Sequence, residues 1–451
     1  MCPMRSWLPL TALLAALPAG AQVSYWKDIR PILDRQCTGC HQPASRQSDL
    51  LLTTWDGLRQ GGRKGPSFVA GKPEDSPVIA YLTGASKPQM PFGGRPLPDE
   101  QIELLRRWIR EGARNDAPTE EAAAPTAPGK PTVYHAPPLI TALAFSPDGR
   151  TMAVSGYHEV LLTDLEGRLQ ARLPGLAMRI HSLAFSPDGA TLVAVGGDPG
   201  RFGEVQVWDV AARKQRLSQV VTNDTLFGGS MSPDGTRLAF GATDKSIRIF
   251  DLVAGQELRR MDHHEDWVFA TVFGVDGKRL ISVGRDRAAK LTEVSTGRFI
   301  ENVNLLREPL AAVARHPRRD WVLVGGFERI PYLYRMDRPR SMRIADDSTL
   351  IQKYEKQDAP ILAVAISPDG ARVAVAAELG DVKVYNAETA LRLAACSGHS
   401  GGIYALQFHP AGEWLATGGF DGTIRLYDAG GKLTRSFVPA PIEKAATVKT
   451  E

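Results

Sequence analysis

Five residues, Cys37-Thr38-Gly39-Cys40-His41, carry the most specific chemistry in the chain. Two thiols three positions apart, followed at once by an imidazole, make the Cys-x-x-Cys-His pattern of c-type haem attachment. Each sulfur can add across one vinyl group of the porphyrin. The histidine is then held against the iron as proximal ligand. The same residue types also serve in zinc half-sites and thiol redox pairs. Zinc would need a second Cys/His pair at similar spacing, and none follows. A redox Cys-x-x-Cys opens a helix in a βαβ context, and no such pattern surrounds this one. The motif occurs once, so the expectation is one covalent haem c on Cys37 and Cys40, with His41 on the iron.

The segments around the motif must place it. Tyr25, Trp26, Ile29, Ile32 and Leu33 fall near helical spacing and lead into it. Pro31 predicts that this helix is short or bent. Asp49 to Ser76 is rich in Gly and poor in periodicity, and reads as loops wrapping a cofactor. A second helix is predicted from about Asp99 to Glu111, with Ile102, Leu105 and Ile109 in one stripe and Leu104 and Trp108 beside it. Asp99 and Glu100 suit its start and Gly112 its end. A domain this small buries little core alone, and a covalent haem would add apolar surface.

Before this region, residues 1–21 read as a signal peptide: Arg5, an apolar run from Trp7 to Leu17, then Ala19-Gly20-Ala21. The run is shorter than the roughly 20 residues that span a bilayer. The chain is therefore expected to be exported, periplasmic or otherwise, and soluble after cleavage, with no membrane span. Of the four cysteines, Cys2 lies in that leader and Cys396 stands alone, so no disulfide framework is expected. A formal charge of +4 with dispersed Lys and Arg excludes a nucleic-acid stripe. Gly61-Gly62-Arg63-Lys64-Gly65 lacks the order of a phosphate loop. No Gly-x-Ser-x-Gly elbow and no paired carboxylates stand out.

The order of blocks in residues 24–115 resembles the planctomycete-type cytochrome c domain. The blocks are Asp28 to Leu33, the haem motif, Gly71 to Ser76, Met90-Pro91, and Ile102 through Ala113. Pro98 departs from the Thr or Ser that caps the last helix in that family. The resemblance implies a His/Met-ligated haem c that transfers electrons, with His41 and Met90 at the matching positions. They are the only histidine and the only methionine between residues 22 and 116. Arg59, Arg63 and Lys64 read as a solvated basic loop that could also meet haem propionates or a partner.

Residues 117–138 form a Pro/Ala-rich linker, extended and semi-rigid. From 139 the chain repeats. Phe145-Ser146-Pro147-Asp148-Gly149 recurs, with variation, at 185, 231, 273, 315, 366 and 408, at intervals of 40, 46, 42, 42, 51 and 42 residues. Ser-Pro-Asp-Gly favours a type I turn. Alternating strands flank each turn, and a third strand ends in pairs such as Trp208-Asp209 or Tyr427-Asp428. Seven units of four strands predict a β-propeller over 139–440, with a tail at 441–451. Gly398 to Asp428 resembles a WD40 repeat, in which His399, Thr417 and Asp421 are implied to form a buried structural set rather than a catalytic one. One of His263 and His264 is expected to do the same. His135, His158, His181, His316 and His409 fall at irregular places. The stretches Gly196 to Glu204 and Met336 to Gln357 read as loops.

The fold class expected is multidomain: a small all-α c-type cytochrome domain over 22–116, then an all-β seven-bladed WD40-like propeller. The function expected is single-electron transfer to a redox partner protein, with the propeller as a platform for a protein partner. The alternative is a periplasmic oxidoreductase in which the propeller holds a second, noncovalent catalytic cofactor or substrate and the haem feeds it electrons.

Overall fold

A computed structural model describes residues 22–38, 40–42, 45–92, 96–117, 132–305, 307–336 and 347–443. The leader at 1–21, most of the linker, the centre of the 336–357 insertion and the end of the tail lie outside the described residues. Two compact units are present, a mainly helical one within residues 22–41 and 47–117 and an all-β one within 132–443; a two-stranded pair, His41–Gln42 with Ser45–Arg46, follows the first helix.

The helical unit starts with a π-helix, Tyr25–Ile29, that runs directly into α1, Arg30–Gln36. Ser24 and Asp28 cap its start reciprocally: Ser24 Oγ accepts from Lys27 N–H (2.9 Å) and Asp28 accepts from Ser24 N–H (2.8 Å). Pro31 sits in the first turn of α1, where its missing N–H costs nothing. The expected bend is therefore a change of helix type. Two further helices, α2 (Trp55–Gln60) and α3 (Pro77–Thr83), stand where the sequence pattern predicts loops or no element. At six and seven residues, they are too short to show a periodicity. Local capping makes α2: Thr54 Oγ1 accepts from Gly57 N–H at 3.0 Å. A Cβ on Gly57 would sit 2.6 Å from the Leu51 carbonyl, so this close turn requires glycine. The last helix, α4 (Asp99–Arg110), begins at Asp99 with Pro98 as a cap that offers no side-chain bond. It ends on Gly112, φ +99°. Its Ile102, Leu105, Trp108 and Ile109 are buried against Tyr25, Ile29 and Leu33.

The β unit contains five four-stranded antiparallel sheets and one seven-stranded sheet. In the larger sheet, one strand, Leu169–Phe185, pairs first with Tyr157–Thr163 and then with Thr191–Asp198. It is thus the outer strand of one repeat and the inner strand of the next. The chain makes seven four-strand units. Their inner strands touch in a closed cycle: Leu143–Phe145, the second half of Leu169–Phe185, Leu226–Met231, Val268–Phe273, Leu310–Arg315, Ile361–Ile366, Ile403–Phe408, and back to the first. Six of these inner strands carry an irregularity near their start, such as Phe227/Ser230 and Ile403/Ala405. Such bulges add twist where strands converge. Gly228 marks how close they come, since a Cβ there would lie 2.2 Å from Ala270 Cα.

The Ser-Pro-Asp-Gly turns form as the sequence predicts. At the first, Gly149 N–H donates to the Ser146 carbonyl (2.8 Å), Ser146 Oγ donates to Asp148 (2.6 Å), and Gly149 has φ +70°. His316 and His409 take the serine's place in two later turns. Their Nδ1 atoms accept the turn's N–H groups instead, at 3.0–3.1 Å in one and 3.2 Å in the other. His409 Nε2 then reaches the Gly149 carbonyl of the first unit at 3.1 Å. The stretch Gly196 to Glu204 is a regular hairpin, not a long loop, because Thr191–Asp198 pairs with Phe202–Asp209 along its whole length.

Candidate functional site

The haem motif begins at the C-terminal end of α1. Cys37 N–H donates to the Leu33 carbonyl (2.8 Å), and the next turn is completed by His41 N–H on the Cys37 carbonyl (3.1 Å). Thr38 Oγ1 donates to the Asp34 carbonyl at 2.8 Å and ties the turn to the helix. A hydrogen-bonded turn just past the helix therefore links the two cysteines to the histidine.

This placement bears on the chemistry. A redox thiol is activated at a helix N-terminus, where the dipole favours thiolate. Cys37 lies at the opposite end. Burial, the Asp34 carboxylate and Cys40 push its thiol up to about 12. Cys37 is half-buried against the helical core, and Cys40 is exposed.

His41 is buried. Its Nδ1 lies 3.1 Å from the Gln47 carbonyl. A carbonyl can only accept, so the proton resides on Nδ1 and the Nε2 lone pair remains for a metal. This is the outer-shell hydrogen bond that orients a ligating histidine. Burial lowers the imidazole's proton affinity, and the Gln47 and Leu50 carbonyls partly offset it. The ring is thus neutral, as an iron ligand must be.

Met90 is half-buried and packs on the same core cluster as Cys37. Its loop is pinned to α3: Met90 N–H donates to the Tyr81 carbonyl (3.0 Å), and Gln89 Nε2 to the Leu82 carbonyl (3.2 Å). Thus the turn that follows α1 carries the cysteines and leads to His41 in a short strand, His41–Gln42, and α3 holds the methionine's loop. Two thiols, one imidazole and one thioether, with Cys37 and Met90 on the same apolar core, fit the donor set of a c-type haem.

The basic loop is accounted for within the protein. Arg59 faces Asp56 at 3.7 Å, Arg63 faces Asp49 at 3.1 Å, and Lys64 Nζ donates to Tyr81 Oη at 2.6 Å. Sequence reasoning missed a cluster of four rings beside the motif. Tyr25, Trp55, Phe68 and Trp108 pack with centroids 4.9–6.0 Å apart. Their positions are too far apart in the chain for any periodicity to link them.

In the β unit, His399 and Asp421 meet at 3.1 Å, with Thr417 Oγ1 2.7 Å from the other ring nitrogen and Arg425 on Asp421 at 2.7 Å. His264 repeats the arrangement with Asp286 (2.9 Å) and Ser282 (2.8 Å). His263 instead meets the Gly297 carbonyl. Both sets are buried and internally satisfied, so they stabilise the fold and present nothing to a substrate.

Comparison with known proteins agrees with this division. Residues 37–91 match the family model for Planctomycete cytochrome C, and residues 391–428 match that of the WD domain, G-beta repeat. The chain is 26% identical over 200 residues to eukaryotic translation initiation factor 3 subunit I of Culex quinquefasciatus, covering 42% of this chain and 49% of that protein. It is 31% identical over 102 residues to human WD repeat and SOCS box-containing protein 1, covering 22% and 24%. It is 26% identical over 207 residues to nuclear distribution protein PAC1 of Coccidioides posadasii, covering 45% and 36%. The chain spans half the length or less of each of these relatives. A cytochrome c-like region, which implies a c-type haem, thus precedes WD40-like repeats in one polypeptide.

Proposed function

We propose that this protein is an exported monohaem cytochrome c that passes single electrons, with the β unit as a docking platform for a protein partner. The observation that carries the reading is the motif at the end of α1, where the His41 Nδ1 proton is held by the Gln47 carbonyl. In this reading Cys37 and Cys40 form the thioethers, His41 is the proximal ligand and Met90 the distal one. The bound haem supplies a one-electron iron couple. The protein does the rest: His41 is held in the ligating tautomer, and the Met90 loop is held by α3. Phe92, 77% exposed next to Met90, offers apolar surface for a redox partner. The platform role draws on the WD40 relatives, one of which is by name a subunit of a larger factor. The export role draws on Arg5, the apolar run and Ala19-Gly20-Ala21.

The test uses protein recovered from the periplasm of an expressing cell. Intact mass should equal residues 22–451 plus one haem, with a single haem c spectrum. Additional absorption bands would favour the oxidoreductase reading, and a mass without haem would end the cytochrome one. Met90→Ala should keep the covalent haem, lose the weak sulfur-to-iron band, lower the potential and admit carbon monoxide. Wild type that already binds carbon monoxide readily would reduce Met90 to a core residue.

A further inference from the structure

The end of the linker is part of the β unit. Thr132 Oγ1 donates to the Tyr157 carbonyl (2.7 Å). Tyr134 is buried, with its hydroxyl donating to Glu159 (2.8 Å) and accepting from Tyr157 N–H (2.9 Å). Glu443 N–H donates to the Tyr134 carbonyl at 2.8 Å. Beside this strap lies a cleft of about 410 Å³, open to solvent. That volume is in the range of small-molecule sites.

The lining has a definite chemistry. Val133, Leu139, Met178 and the half-exposed ring of Tyr157 give apolar walls, and Arg179 and His135 contribute nitrogen. Among the described residues that line the cleft there is no Asp or Glu. Nor does either the Arg179 or the His135 side chain make a hydrogen bond or ion pair among the described residues. The nearby carboxylate, Glu159, is already taken by Tyr134 and by Arg172, whose Nε lies 2.8 Å away. Arg179 is exposed, and its charge adds to burial in pushing His181 down to about 4.

We propose that this cleft binds a small organic carboxylate, with its apolar body against Leu139 and Met178 and its carboxylate on Arg179. A planar guanidinium fork matches a carboxylate's two oxygens. A more highly charged anion would need more donors than one arginine and one histidine supply. The site does not depend on the haem assignment.

Isothermal titration of the full-length protein with 1-naphthoate tests it, with 1-naphthylmethanol as the neutral counterpart. Naphthoate should bind at one site per chain, about tenfold or more tighter than the alcohol. Arg179→Gln should weaken naphthoate about tenfold without moving the circular dichroism spectrum or the unfolding midpoint, since the Arg179 side chain holds nothing else. Met178→Trp, which fills the cleft, should remove binding of both probes. Equal affinity for the two probes, an unaffected Arg179→Gln, or no saturable naphthoate binding would each overturn the proposal.

Discussion

The two units hold themselves together in opposite ways. In the helical unit every critical feature occurs once: one motif, one buried histidine, one methionine, four short helices of which the longest has twelve residues. Its core touches the motif only through Cys37. In the β unit each feature recurs. The inner-strand bulge appears six times, and the buried His-Asp set twice. The turns lean on one another, with Pro147, Pro187 and Pro233 over the glycines of the next turns and His409 closing the cycle on Gly149. Redundancy makes one region tolerant of single losses, and its absence makes the other dependent on a few atoms.

The sharpest way to break this comparison is to remove both thiols. Cys37→Ala with Cys40→Ala should abolish covalent haem. The helical circular dichroism of the first unit should weaken, while the unfolding midpoint of the β unit stays put. A β unit that unfolds with it would show that the two are one cooperative system.

A smaller effect is expected inside the β unit. His264→Ala takes a hydrogen-bond partner from Asp286, which keeps Lys290 at 3.5 Å, and should cost about 3 kcal/mol, read by urea unfolding. The protein should remain folded, because the neighbouring units keep their own contacts. Loss of the whole β unit would refute the claim of redundancy.

Next comes the strap. A chain starting at 139 lacks Thr132 and Tyr134, so Arg172 loses the Thr132 carbonyl and Glu159 the Tyr134 hydroxyl. Compared with a chain starting at 132, it should be about 2 kcal/mol less stable. Equal urea midpoints would make residues 132–138 a plain linker.

The smallest effect is on the turns. Asp148, Asp188, Asp234 and Asp369 are held below the usual carboxylate range, first by the serine hydroxyl two residues earlier, and Asp234 reaches about 2. Their contribution is full above the unfolded value near 3.8 and is lost as pH falls from there toward 2. The midpoint of the β unit should fall gradually over that window. Ser232→Ala should flatten the fall slightly, and an identical profile in that variant would assign the acid sensitivity elsewhere.

Part of this organisation is legible in one dimension. The Cys-x-x-Cys-His spacing, the repeat interval and the stripe of α4 are local patterns, carried by residues close together in the chain. The short helices α2 and α3 are not legible that way. Six or seven residues give no period, and their formation rests on Thr54 at one N-cap and on packing. His316 and His409 look irregular in the sequence because the type of residue in the turn has changed while its role has not.

The linear chain already carries the order of the two regions, the repeat interval and the Cys-x-x-Cys-His motif, since each of these is set by near neighbours. Packing in three dimensions selects which of His263 and His264 is buried on an aspartate, and which carbonyl holds the His41 proton. It also takes Tyr134 out of the linker to line an open cleft with Arg179. Those outcomes depend on groups brought together from distant positions, such as residues 134, 159 and 443. Burial then makes an unmade hydrogen bond costly enough to select one partner.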